Sequence, residues 1–192
     1  MSASGGRYGV GVDPGASSAI GLVFRSAEDS DMRQVDCGKP WFVGGWNVYG
    51  VGGARWVRLR SAVQAAHRMM SSAPCQIRIE APAGGGASGR RNGWQFSVGR
   101  DCGRWEAMLW RDRPHGGIGL EVVAGNVWPK AVGVRYGKKG AGWHRVQEVA
   151  ERVANSEAWL RAIGPKATTK AGAERQVCLA EATLIAIYAV TN

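Results

Sequence analysis

The chain has 192 residues, with 25 Lys and Arg against 15 Asp and Glu, a formal charge of +10 at neutral pH. That length suits a single domain, residues 1–192, able to bury a core without disulfides. No run approaches the roughly 18 apolar residues of a membrane span, Met1 to Arg7 lacks the apolar core of a secretory leader, and Cys37, Cys75, Cys102 and Cys178 form no CxxC pair, so the expected setting is reducing and cytoplasmic.

Tyr8 to Asp13 and Ala19 to Arg25 read as two strands around the turn residues Pro14 to Ser17. Met32 to Cys37 is a candidate third strand, and the Gly- and Trp-rich stretch from Pro40 to Gly53 has no assignment. Arg55 to Ser71 reads as a helix with Val57, Leu59, Val63, Ala66 and Met70 on one face. Gln76 to Glu80 alternates as a buried strand. A loop from Ala81 to Asn92 follows, then a helix over Phe96 to Trp110 and a strand over Leu120 to Ala124. Asn126 is the expected N-cap of a short helix to Val132, with Pro129 in its first turn. Trp143 to Ile163 and Ala171 to Val190 read as two long helices. This order of strands and helices predicts an α/β or α+β domain.

The glycines at Gly9, Gly11 and Gly15 do not have the spacing of a dinucleotide fingerprint. The loop holding Gly84 to Gly86 and Gly89 lacks the ending of a P-loop, so no nucleotide cofactor is expected. His67, His115 and His144 share no metal-ligand spacing. Carboxylates at the ends of apolar elements are more informative. Asp13 closes one strand, Glu80 closes another, and Glu181 lies inside the apolar run L-A-E-A-T-L-I-A-I. Charges so placed need a partner or a cation, and three of them on separate elements suggest a site for hard divalent ions. Glu174, two helical turns before Glu181, either joins the cluster or is an ordinary solvated glutamate.

These residues resemble a family. G-V-D-P-G at Gly11–Gly15 and I-R-I-E-A at Ile77–Ala81 are similar to the acid-bearing strands of the RuvC-type Holliday junction resolvases. F-S-V-G-R-D-C-G-R-W-E at Phe96–Glu106 resembles the helix after the second acid in their phage-type members. V-W-P-K-A-V-G at Val127–Gly133 resembles the family's P-x-x-W-K region, with the tryptophan displaced to Trp128 and Lys130 retained. A-E-A-T-L-I-A-I-Y at Ala180–Tyr188 resembles its closing helix. The resemblance implies a ribonuclease-H-like mixed central sheet flanked by helices. It implies a homodimer that resolves four-way DNA junctions by paired symmetric nicks, using Mg²⁺ or Mn²⁺, two ions per active site. It carries Asp13, Glu80 and Glu181 over as catalytic metal ligands. One departure stands out: the family places a further acid or a histidine three or four residues before Glu181, where this chain has Cys178 and Val177.

The net positive charge points to a polyanionic partner. Arg90, Arg91, Lys130, Arg135, Lys138 and Lys139 are the expected phosphate contacts, and Trp94 is the candidate for stacking on an unpaired base. Two alternatives remain open on sequence: a ribonuclease-H-like nuclease acting on RNA or flaps, and a branched-DNA-binding protein that cuts weakly or not at all.

Overall fold

The computed structural model describes residues 5–14, 17–27, 38–50, 52–70, 74–81, 102–109, 118–134 and 142–192. Five strands, β1 (Gly6–Asp13), β2 (Ser18–Ser26), β3 (Trp41–Val48), β4 (Cys75–Ala81) and β5 (Ile118–Ala124), form one sheet in the order β3-β2-β1-β4-β5. The first three make an antiparallel meander, and β1, β4 and β5 run parallel. The helices are α1 (Gly52–Met69), α2 (102–109), α3 (Trp128–Ala131), α4 (Gly142–Arg152), α5 (Ser156–Ile163) and α6 (Lys170–Thr191).

Alternation along the central strands divides the core in two. Val10, Val12, Ile20, Leu22, Ile77 and Ile79 face α1 and α2, where Leu59, Val63, Ala66, Trp105 and Leu109 are buried. The opposite face of the sheet is covered by α4, α5 and α6. On that face β1 and β2 carry glycine. A methyl group at Gly9 or Gly11 would run into the backbone of α6 at Ala186 or Ala182, and one at Gly21 would meet the backbone of Thr183. The missing side chains let α6 lie directly on the two strands, which explains part of a glycine content far above the average.

Several elements depart from the sequence reading. The third strand of the meander is Trp41–Val48, inside the stretch left unassigned, while 32–37 lie outside the described residues. The expected helix from Trp143 to Ile163 is two helices. Asn155 interrupts it because its side chain serves the edge strand: the Phe42 amide donates to its Oδ1 at 2.7 Å, and its Nδ2 donates to the Phe42 carbonyl at 2.8 Å. The Ala154 amide also donates to the Pro40 carbonyl, at 3.0 Å. Those bonds replace helix continuation, and Trp159 then packs edge-on against Phe42. Val57 is 67% exposed rather than on the inner face of α1, since the buried stripe runs through Leu59, Ala62, Val63, Ala66 and Met70. Asn126 does not cap α3. It lies in a turn closed by the Val127 amide on the Ala124 carbonyl, and Val127 precedes the helix without a side-chain cap. The Phe96–Trp110 helix is seen as α2, with 96–101 and 110 outside the described residues. No helix among the described residues is long and apolar enough to cross a membrane.

Seating α6 on bare backbone makes a specific prediction. Gly11→Ala is expected to destabilise the fold by about 1–3 kcal/mol through overpacking. Gly53→Ala in α1, where an added methyl meets nothing within 4 Å, should be neutral or slightly stabilising. Urea unfolding of the two variants checks the contrast, and equal stabilities would contradict it.

Candidate functional site

Strand periodicity places two of the acids. Asp13 shares the face of Gly9 and Gly11, and Glu80 lies opposite in phase to Cys75, Ile77 and Ile79, so both point to the α6 side. The parallel register pairs Val12 with Ile79, which brings the two carboxylates to neighbouring strand ends. Glu181 comes from α6, amid Leu179, Ala180, Ala182 and Thr183, all buried against the sheet. All three acids are partly exposed, at the mouth of the interface between sheet and helix. Gly125, just past β5, leaves room for the Glu80 carboxylate, which an added methyl would strike.

The electrostatics couple Glu181 to both strand acids. Burial pushes Asp13 well above the usual carboxylate range, Glu181 and Glu80 push it further, and a hydrogen bond from the Cys178 thiol acts in the opposite sense. Glu80 is pushed up to about 7, by burial first and then by Glu181, against the influence of Trp128 and Arg145. Glu181 is raised by burial and, more weakly, by Glu148, with Arg145 opposing. Burial and the adjoining Asp13 also raise the Cys178 thiol, which stays protonated. Desolvation and like charge are thus the common cause.

Among the described residues, Arg145 of α4 is the cation inside this cluster. Its Nη1 lies 2.7 Å from Glu148 Oε2, and its Nε lies 3.6 Å from Glu181 Oε1. Trp128 Nε1 is buried without a closed hydrogen bond, so its favourable influence on the Glu80 charge acts across a gap. Among the described residues, no three His, Cys, Asp or Glu side chains enclose an ion as they stand. The donor chemistry nevertheless suits one: desolvated carboxylates, two of them raised further by their acidic neighbours, are relieved by a hard divalent cation.

The structure therefore brings together Asp13, Glu80 and Glu181, and leaves Glu174 at the rim. Glu174 is 53% exposed, pairs with Lys170 at 3.9 Å, and influences Cys178 rather than Asp13 or Glu80. Lys130 is exposed on α3, next to the turn that carries Trp128. Arg90, Arg91, Trp94, Arg135, Lys138 and Lys139 lie outside the described residues. Sequence reasoning missed Arg145 and Glu148. Their three-residue spacing beside the buried Val146 and Val149 was the available signal.

The sheet order, mixed strand directions and flanking helices are those of a ribonuclease-H-like domain. No protein-family model matches the chain, and no curated protein sequence matches it. Solved structures do. RuvC of Thermus thermophilus in complex with a Holliday junction substrate is 17% identical, with 95% of this chain and 91% of that chain covered and a TM-score of 0.55. Another structure of Thermus thermophilus RuvC gives 16%, 95%, 92% and 0.54 in the same order. The yeast mitochondrial Holliday junction resolvase gives 12%, 95%, 81% and 0.46. At such identities the likeness is one of fold, and the fold is that of the RuvC-type resolvases.

The raised carboxylates fix a sign for pH dependence. The native state keeps protons that the unfolded chain has released, so stability falls as pH rises from the ordinary glutamate value of 4.5 through about 7. The metal-free protein should melt at a lower temperature near pH 8 than near pH 5, and Glu80→Gln should flatten that fall. Thermal melts in EDTA across this range provide the check; the same slope in wild type and variant would remove Glu80 as its source.

Proposed function

We propose that this chain is a metal-dependent, structure-selective endonuclease that resolves four-way DNA junctions, acting as a homodimer. The observation that carries the reading is the convergence of Asp13, Glu80 and Glu181 at one end of the sheet, each raised by burial and by its neighbours. The fold supports it, since a structure of that fold holds a Holliday junction substrate, and the net charge of +10 suits a nucleic-acid partner.

Asp13, Glu80 and Glu181 would hold Mg²⁺ or Mn²⁺. Bound there, a pair of ions supplies activation of the attacking water and relief of charge on the leaving oxygen. The chain's own contribution is placement. Asp13 is held on a central strand, between β2 and β4, where its backbone cannot drift. Arg145, oriented by Glu148, steadies the Glu181 carboxylate. Trp128 and the Cys178 thiol favour the charged forms of Glu80 and Asp13 respectively.

A synthetic immobile four-way junction, with linear duplex as control, tests the proposal in Mg²⁺, Mn²⁺ and EDTA. Wild type should make paired symmetric nicks only with metal. Asp13→Asn should cut at below about a hundredth of the wild-type rate, as the loss of several kcal/mol of transition-state stabilisation requires, while junction binding persists. Cutting by Asp13→Asn at the wild-type rate would refute the assignment.

One observation favours a second reading, a junction-binding protein that cuts poorly. Cys178 stands three residues before Glu181 and hydrogen-bonds Asp13 as a thiol, so this position lacks an acid. Cys178→Asp separates the readings. Under the second, wild type binds the junction tightly but cuts it only slowly, and the added carboxylate raises metal-dependent cleavage at least about tenfold, or about 1.4 kcal/mol in barrier.

A further inference from the structure

Beside the acid cluster, Tyr49 follows the end of β3 with an arginine stacked on its ring from each of two helices. The guanidinium carbon of Arg58, on α1, lies 4.4 Å from the ring centroid, and that of Arg175, on α6, lies 3.9 Å from it. Both guanidinium groups thus lie within cation–π range of the one ring, and the three side chains form a single clamp. Arg58 also donates from Nη1 to the Tyr49 carbonyl at 2.9 Å. Gly50, at φ +96°, turns the chain toward α1 and leaves the space that this guanidinium fills; an added methyl there would stand 2.7 Å from Nη1.

Two like charges held on one ring repel each other, and among the described residues neither pairs with a carboxylate. The adjacent acid, Glu174, is turned to Lys170 instead. Cation–π attraction offsets part of the repulsion. A cation–π contact consumes no N–H donor, so Arg175 and the nitrogens of Arg58 other than the Nη1 bonded to the Tyr49 carbonyl keep donors that match the oxygens of a phosphate. Position supports the same occupant. Arg175 lies one helical turn before Cys178, which bonds Asp13. Ser18, which pairs with Val48 just before Tyr49, neighbours the Ala19 that pairs with Asp13, and it accepts a hydrogen bond from Arg55 at 2.7 Å. The clamp therefore borders the acids on the side of β2 and β3.

We propose that the Arg58–Tyr49–Arg175 clamp is a phosphate-binding subsite that holds the backbone of a DNA strand next to the acid cluster, from the meander side of the sheet. This rests on the endonuclease reading for the identity of the polyanion, but not on cleavage. Tyr49 acts as a positioning residue: its ring holds the two guanidinium groups as a pair and need not touch DNA.

The experiment is binding of a fluorescent four-way junction in EDTA over a range of salt concentrations. Each arginine that releases counterions contributes about 0.9 to the slope of log affinity against log salt, or about eightfold in affinity at 0.1 M salt. Arg58→Gln and Arg175→Gln should each show that loss, and the double variant should lose about 1.8 in slope. Arg161→Gln, on α5 toward the other end of β3, removes the same charge and should change neither quantity. Tyr49→Phe keeps the ring and should bind as wild type, whereas Tyr49→Leu should weaken binding with the slope reduced. Thermal melts confirm that each variant is folded.

Wild-type binding matched by the double arginine variant in affinity and slope would overturn the clamp and leave the endonuclease reading standing. An equal loss in Arg161→Gln would also overturn it, by making net charge the cause. Absence of salt-dependent binding in wild type would overturn both. Loss of binding in the clamp variants, in a protein that does not cleave, would uphold the clamp and refute the nuclease.

Discussion

The close approach of α6 to β1 and β2 is the contact on which the rest of the molecule depends. Helices usually stand off a sheet by the depth of two layers of side chains. Here Gly9, Gly11 and Gly21 remove one layer, and the backbone of α6 occupies their place. Glu181, in the middle of that helix, is thereby carried down to the level of the strand ends that bear Asp13 and Glu80. With ordinary side chains at the three glycines, the helix would ride higher and the acids would separate. The conformational cost of glycine in strands is thus coupled to the geometry of the site.

That geometry is electrostatically unfavourable in the free protein. Glu181 raises both Asp13 and Glu80, Glu80 raises Asp13, and among the described residues Arg145, itself shared with Glu148, is the cation that opposes the shifts of Glu80 and Glu181. Such an arrangement costs stability above neutral pH and persists because the surrounding packing enforces it: Val10, Val12, Ile77 and Ile79 lock the strands on one side, and the buried face of α6 locks the other. The repulsion that weakens the fold is the same field that would attract a divalent cation. A cluster of opposite sign, the arginines around Tyr49, lies along the adjoining edge. Acids and arginines on separate neighbouring patches allow a phosphate chain to be held by one and approached by ions on the other.

Much of this was legible in the chain itself. V-G-V-D and I-R-I-E alternate with period two and end in carboxylates, which is enough to mark two buried strands, and an acid inside L-A-E-A-T-L-I-A-I marks a helix that carries a charge into an apolar interface. Less legible were elements whose conformation is decided by distant partners. Gly44, Gly45 and Trp46 have no strand signature of their own; β3 forms because β2 offers an open edge and Asn155 secures its far side. The same asparagine breaks a helix whose apolar spacing continues through it. Arg145 and the pair on Tyr49 were hidden for the same reason, since each meets its partners across large sequence separations.

The sequence by itself determined which residues carry charge into apolar surroundings, because burial and alternation are local properties that a strand or helix displays in its own residues. It also pointed to the fold class, and it singled out Asp13, Glu80 and Glu181, the acids of the proposed site. Only the tertiary structure decided which charges meet. It set Arg145 against Glu181, left Glu174 at the rim with Lys170, and stacked Arg58 and Arg175 on one ring. The physical reason is range. Patterning acts over a few residues, whereas Coulomb and stacking interactions depend on distances of a few ångströms that the packing of α1, α4 and α6 around the sheet alone establishes.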